Sequence, residues 1–365
     1  MGFLIPSEND TYECHPSCEY KDGCGYPYVG RNFEPFRVYG YIVVVPLISI
    51  IGIIAASICI IVFTKKQMRN SSLNIYLAGL SAVDILLLGS SAIFFSTSDA
   101  CRLNDFTYNW YCRIFWMTGV HTARVMHISR TLNVYVCLAV TVDRYIAVRY
   151  PLHSKIWCTP KKAVMILVGI TVFTLIYRIP VFFELINDDE DCGLLIHTKF
   201  GKGPFMEVYY HIYTNILLNV IIPWIIMISL NSYIVYLVHQ AYKVRGNMQG
   251  KDAKNDSNKR RCTLMATAMI FCFILFNSIN SVYRPLNATF NISTPPQLVP
   301  IGNIFILFNS AFNFTIYVLF NPRFRKMFFE ILLCGLTLRD FTNSISSQNT
   351  VQSRLQSQRS TIKSQ

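Results

Sequence analysis

The chain has 365 residues, 52% of them hydrophobic and only 15% charged, and a formal net charge of +13. So apolar a composition excludes the two water-soluble domains that the length alone suggests, and favours a membrane protein. The basic balance does not point to nucleic acid either, because Lys and Arg are spread over four separate loops.

Residues 1–38 are polar, with Cys14, Cys18 and Cys24 close together, and read as a small extracellular segment stapled by disulfides rather than by zinc. No charged, apolar, cleavable leader is legible, so insertion is expected to rely on the first span. Seven runs are long enough to cross ~30 Å of hydrocarbon. They are Tyr39 to Thr64, Asn74 to Thr97, Ile114 to Arg144, Ala163 to Phe183, Val208 to Tyr242, Cys262 to Tyr283 and Gln297 to Phe320. The first, fifth, sixth and seventh contain no Asp, Glu, Lys or Arg, whereas a soluble amphipathic helix would keep a charged face. The fold expected is an all-α membrane protein, a seven-transmembrane helix bundle over 39–320.

In the second span Asp84 stands alone, and a mid-bilayer acid is costly unless it is paired, hydrated or ion-bound. The third span carries His121, Arg124, His127 and Arg130 at a spacing of three, followed by Asn133. Such a stripe cannot face lipid. It lines a wet cavity in which guanidinium groups clamp a ligand carboxylate or carbonyl, or each Arg pairs with acids or free carbonyls of neighbouring helices. Asp143-Arg144-Tyr145 closes the span with charge and marks a membrane surface.

Arg178 precedes Pro180, whose ring is expected to kink or end the fourth span. The run Asn187-Asp-Asp-Glu-Asp191-Cys192 is either a solvated loop or a steering patch for a cationic ligand. Pro223 is expected to break the fifth span, and Lys243 to Arg261 reads as a mobile basic loop. Residues 321–336 alternate basic and apolar positions at helical spacing, which predicts a short amphipathic helix on the membrane surface, with Cys334 as a palmitoylation site. Residues 337–365 are rich in Ser, Thr and Gln and read as a disordered tail.

Lys and Arg number 22 in the segments 65–72, 144–162, 243–261 and 321–365 and 7 in the segments on the other side. That asymmetry predicts a plasma-membrane orientation with the N-terminus outside and the C-terminus in the cytoplasm. Sequons at Asn9, Asn287 and Asn291 fall outside and are expected to be glycosylated.

Four motifs in order, Leu80-Ser-Ala-Val-Asp84, Asp143-Arg-Tyr145, Pro223 and Asn309-Ser-Ala-Phe-Asn313-Phe-Thr-Ile-Tyr317, resemble the rhodopsin-like G-protein-coupled receptors across residues 39–334. Thr141-Val-Asp-Arg-Tyr-Ile-Ala-Val148 and Asn313-Phe-Thr-Ile-Tyr-Val-Leu-Phe-Asn321 look like invertebrate FMRFamide-type neuropeptide receptors. The resemblance implies that Arg144 is the switch arginine, held by Asp143 when inactive and flanked by Tyr145, and that Tyr317 turns inward on activation. It implies an internal sodium site at Asp84, Ser129, Asn133, Asn309 and Asn313, and an outer disulfide from Cys112 to Cys192. Cys112 lies 32 residues before Arg144, seven more than usual, which leaves Cys101 as a rival.

Other departures are Ile53 after Gly52, no Trp in the fourth span, Phe271-Cys-Phe273-Ile-Leu275 in place of Cys-Trp-x-Pro, Phe314 after Asn313, and Asn231 eight residues after Pro223. A sixth helix without that proline is expected to be straighter.

The function implied is a receptor for a short cationic peptide, coupled to a heterotrimeric G protein, with a receptor kinase and arrestin acting on the tail. The position matching the family's amine-binding Asp is Met126, which disfavours amines. The ligand pocket is expected at Met126, His127, Arg130, Arg178, Glu184, Glu207, His211, Phe273, Asn277, Asn280 and Arg284, near the outer ends of their helices. The alternative is a chemosensory receptor for small organic molecules on the same fold. A transporter or channel is a third reading, against which no internal repeat of spans is apparent. No nucleophile-base pair or metal-ligand cluster suggests an enzyme, and no cofactor beyond the sodium ion is expected.

Overall fold

The computed structural model describes residues 39–103, 110–187, 195–245, 251–290 and 297–332. It has seven helices long and apolar enough to cross a membrane: Gly40–Thr64, Ser72–Ala100, Thr118–Arg149, Pro160–Tyr177, Val208–Gln240, Thr263–Val282 and Leu298–Phe320. In hydrocarbon every backbone N–H and C=O must be paired within the segment, so even an Ile-rich run becomes helical there.

The first helix shows how the two faces are sorted. Ile50, Ile51 and Ile54 are each more than half exposed and face outward, where lipid would lie. Ser49, Gly52, Ala56 and Cys59, spaced by three and four, are buried against the bundle. A Cβ on Gly52 would stand 2.6 Å from Leu88 Cδ1 and 3.0 Å from the Ala311 Cβ, so glycine lets the first, second and seventh helices meet. Gly52→Val is therefore expected to overpack this contact and cost about 1–3 kcal/mol, read as a lower melting temperature of the purified protein. An unchanged melting point would show that the helices can spread without loss.

The third helix runs unbroken from Trp110 to Arg149. It packs against the second, fourth, fifth and sixth helices, and 61% of its apolar window is buried, against 11% for the fourth. It is the axis of the bundle. A short helix, Pro151–Trp157, follows it, and Thr159 then caps the fourth helix by accepting from the Lys162 N–H, with Pro160 in the first helical position. The fourth α-helix stops at Tyr177 and continues as a 3-10 turn, Ile179–Phe183, because Pro180 has no N–H to give.

Two sequence expectations need correcting. Pro223 does not break the fifth helix. The chain approaches it through two π-helical stretches, Phe205–Thr214 and Leu217–Ile221, and resumes as an α-helix at Ile222–Arg245. Wider π turns relieve the clash between a proline ring and the carbonyl four residues earlier. Within the segment Lys243 to Arg261, read as a mobile loop, the described residues are helical. The fifth helix reaches Arg245 and the sixth begins at Lys251, running as one 40-residue helix to Phe290. Backbone hydrogen bonds do not need apolar side chains, so hydropathy located the membrane-embedded part and not the helix end. The all-α bundle also carries one short hairpin between its fourth and fifth spans. Leu185–Asn187 (β1) and Leu195–His197 (β2) pair antiparallel, with Leu185 opposite His197. The acidic residues 188–191 and Cys192 lie between these strands, outside the described residues.

The seventh helix ends at Phe320, where the Asn321 side chain accepts from the Phe324 N–H and starts a helix over 322–332. Phe324 is fully buried against Phe63 and Tyr317, and the Phe328 ring meets Phe314, so this helix is fastened to the first and seventh.

Candidate ligand cavity and switch residues

The stripe on the third helix divides into two destinies. Arg124 leaves the bundle interior and donates to the Phe182 and Leu185 carbonyls at 2.7 and 3.2 Å, and its guanidinium lies over the Phe182 ring. It ties the third helix to the start of the hairpin, while His121 is exposed. His127 and Arg130 instead line a cavity of about 90 Å³, room for several waters or one end of a ligand.

The other walls come from the second, fourth, fifth, sixth and seventh helices. Arg178 is the residue at which the fourth α-helix ends, and its side chain turns inward to be 4% exposed. Its Nε donates to Thr131 Oγ1 at 2.8 Å, one Nη donates to Asn215 Oδ1 at 3.1 Å, and the guanidinium lies 4.8 Å from the Tyr177 ring centroid. Asn219, one turn beyond Asn215, donates to Asn215 Oδ1 and to the Tyr177 hydroxyl. Phe273 and Trp224 add aromatic surface, and Asn277 and Asn280 come from the sixth helix. Asn280 donates to Asn303 Oδ1, and Asn303 to the Tyr41 hydroxyl, a chain joining the sixth, seventh and first helices.

Glu184 lies beside the cavity under the hairpin, 4% exposed, and takes His211 Nε2 at 2.9 Å, with His197 Nδ1 at 3.9 Å. Burial holds the His197 imidazole below its ordinary pKa, while Glu184 pulls the other way. The Glu184 carbonyl accepts from the Thr198 N–H and sits so close to Gly201 that a Cβ there has no room. Turn and hairpin are thereby fastened to the head of the fifth helix.

Below the cavity lies the polar core. Asp84 is 1% exposed, and each carboxylate oxygen accepts from an amide: Oδ1 from Asn133 Nδ2 at 2.8 Å, Oδ2 from Asn313 Nδ2 at 2.9 Å. Asn133 and Asn309 also border the cavity, so the two sites share a wall. Ser129 is fully buried and donates to the Val125 carbonyl, which leaves its oxygen lone pairs for another partner. Near the far end of the third helix, Arg144 turns back on its neighbour, with Nε 3.1 Å from Asp143 Oδ2 and an Nη in ion-pair contact with the same oxygen. Tyr145 packs against Tyr150 and Tyr233. Tyr317 is already inside the bundle, fully buried, and its hydroxyl has no hydrogen-bond partner among the described residues.

The family model for the seven-transmembrane receptors of the rhodopsin family matches residues 55–317. The chain belongs to that family. It is thus a multi-pass membrane receptor and not an enzyme. A FMRFamide receptor of Drosophila melanogaster is 26% identical over 89% of this chain, which spans 59% of that protein. A FMRFamide peptide receptor of Caenorhabditis elegans is 25% identical over 86% of this chain and 74% of its own length, and galanin receptor 2b of Danio rerio is 25% identical over 85% and 79%.

Among the expected pocket residues of the receptor, His127, Arg130, Arg178, His211, Phe273, Asn277 and Asn280 come together at the cavity. Met126 does not. It packs into the apolar cluster of Leu87, Phe94, Phe115 and Leu307, because one residue of helix turns it away from its neighbour His127. Glu184 stands behind His211 rather than in the wall. The side chains of Glu207 and Arg284, and those of Cys101, Cys112 and Asn287 within their helices, lie outside the described residues, as do Asn9, Cys192, Asn291 and Cys334 altogether. Sequence reasoning missed Asn215, Asn219 and Thr131. The Asn pair, four apart in an uncharged span, was the available signal.

Cys158, in the loop between the third and fourth helices, is half-buried and its thiol donates to the Asp143 carbonyl at 3.7 Å. Burial, and then the nearby Asp143 charge, push its pKa up from 9.0 to about 11. Thiolate is the reactive form, so at neutral pH Cys158 is expected to alkylate roughly a hundredfold more slowly than an ordinary thiol, with the rate climbing until pH passes about 11. Site-resolved mass spectrometry of iodoacetamide labelling reads this, and labelling at the rate of a free cysteine at pH 7 would refute it.

Proposed function

We propose that the receptor binds a short neuropeptide at the cell surface and activates a heterotrimeric G protein, with the hairpin end outside and the Arg144 end in the cytoplasm. The observation that carries this reading is the cavity in the hairpin-side half of the bundle, walled by Arg130, Arg178 and His127 beside aromatic and amide side chains. Its small volume suits one end of a peptide, with the rest lying under the hairpin. The charge asymmetry of the loops supports the orientation. Relatives named as receptors for FMRFamide and galanin support the peptide class.

In this proposal the acids of residues 188–191 draw in a net-positive peptide, and Arg144 is the group offered to the G protein once it leaves Asp143. Asp84 with the oxygens of Ser129, Asn133, Asn309 and Asn313 forms an oxygen-rich set suited to a hard monovalent cation, and sodium there would stabilise the resting arrangement. A Cys112–Cys192 disulfide, palmitate on Cys334, glycans on Asn9, Asn287 and Asn291, and recruitment of a receptor kinase and arrestin by the tail complete the proposal. A peptide library and a panel of organic volatiles, applied to cells expressing the receptor with promiscuous G proteins, test it. Activation by a peptide is expected; activation by volatiles alone would transfer the receptor to a chemosensory role.

A further inference from the structure

We propose that the cavity is a carboxylate site, so that the part of the ligand reaching it is an anion and not a cation or a neutral amide. The proposal rests on the peptide-receptor reading for its biological ligand, while its chemistry stands on the charges of the cavity itself.

Two guanidinium groups meet here without an acid among the described lining residues. Arg178 is buried, and its partners Thr131, Asn215 and the Tyr177 ring are all neutral. Arg130 lines the cavity and, among the described residues, makes no hydrogen bond and no ion pair. The histidines 127 and 211 add no negative charge. Two described acids outside the walls face other groups: Glu184 contacts His211 and keeps its second oxygen without a hydrogen-bond partner, and Asp84 accepts from Asn133 and Asn313. No described cavity wall carries Asp or Glu.

Arginine does not escape the cost of burial by losing its proton, so a positive charge of this kind is held at a cost of several kcal/mol until an anion compensates it. Neutral acceptors around Arg178 satisfy its hydrogen bonds and leave its charge. Arg130 lacks even those. A carboxylate supplies both what is missing: two acceptor oxygens matching the planar fork of a guanidinium, and a unit of negative charge. A primary amide supplies one acceptor, no charge, and an NH₂ group that would face the cations. A ligand cation at this depth would add a third positive charge.

The carboxylate can be a peptide's free C-terminus or an Asp or Glu side chain. Probes at millimolar concentration distinguish them in thermal unfolding of the purified, unliganded receptor: N-acetylphenylalanine, N-acetylphenylalaninamide, N-acetylglutamic acid 1-amide and sodium chloride at matched ionic strength. A raised melting temperature with an acid and none with the amide is the expected result, and the acid giving the larger shift names the source. Arg130→Gln should abolish the shift and Arg130→Lys should retain part of it, and without probe Arg130→Gln, relieved of the uncompensated charge, should melt no lower than wild type. Equal shifts from acid and amide, or a shift from chloride with none added by either acid, would overturn the carboxylate site. The wild-type comparison decides the matter even if the variants misfold. Peptide-library activation with equal acid and amide shifts would leave the peptide reading standing and remove this inference. A carboxylate shift with no active peptide would do the reverse.

Discussion

Arg144→Ala is expected to keep agonist affinity and to lose agonist-driven nucleotide exchange on the G protein. The side chain lies far from the cavity: fourteen residues of helix, about 21 Å, separate it from Arg130. Among the described residues its only ion pair is with Asp143, its neighbour in the chain, and no described residue of the sixth helix holds it. Its deletion therefore breaks no described bond between helices and should not by itself open the bundle. What it removes is a cation that stays charged in a dehydrated place and the hydrogen bonds it would make to the partner. Charge-assisted bonds of that kind contribute about 1.5–3 kcal/mol, so the loss in exchange should be roughly ten- to hundredfold. Lysine at this position keeps the charge without the planar fork and should recover only part of it. Normal exchange by the alanine variant, at equal surface expression, would remove Arg144 from the switch.

The second large effect belongs to Asp84→Ala and is one of stability. Its carboxylate joins the second helix to the third and seventh through Asn133 and Asn313. Alanine would leave two buried amide groups without their acceptor, at about 1–3 kcal/mol each, or about 2–6 kcal/mol together. Removing a buried charge works in the opposite sense, because its desolvation is relieved. Asn at this position separates the two effects, since it keeps one acceptor oxygen and discards the charge. Thermal unfolding should rank wild type above Asp84→Asn and both above Asp84→Ala. An alanine variant that melts higher than wild type would show that desolvation outweighs the hydrogen bonds.

The seven spans were legible because exclusion of water from the bilayer writes itself into composition. Their ends were not. The fifth helix continues to Arg245 and the sixth starts at Lys251, both in polar sequence, since a helix outside the membrane carries no hydropathy signal. Strands of three residues are too short for an alternating pattern, which is why the hairpin escaped notice. Within the third helix the charged stripe was visible, yet its members differ in role for a geometric reason. A step of three residues turns 300°, so the stripe drifts about 60° per step and about 180° from His121 to Arg130. His121 thus faces out, Arg124 finds the hairpin carbonyls, and Arg130 enters the cavity. Arg178 was found because a cation beside a proline stands out; Asn215 and Asn219 carry no charge and were passed over.

The π-helical turns of the fifth helix have a consequence for comparison between relatives. Each such turn accommodates one residue more than an α turn, so it behaves as an insertion hidden inside a helix, with no gap to announce it. Counting back from Pro223 across Leu217–Ile221 and Phe205–Thr214 therefore loses register with any relative whose fifth helix is α throughout. Residues such as His211 must be matched by the direction in which they point, since position numbers borrowed from such a receptor would assign its contacts to the wrong side chains.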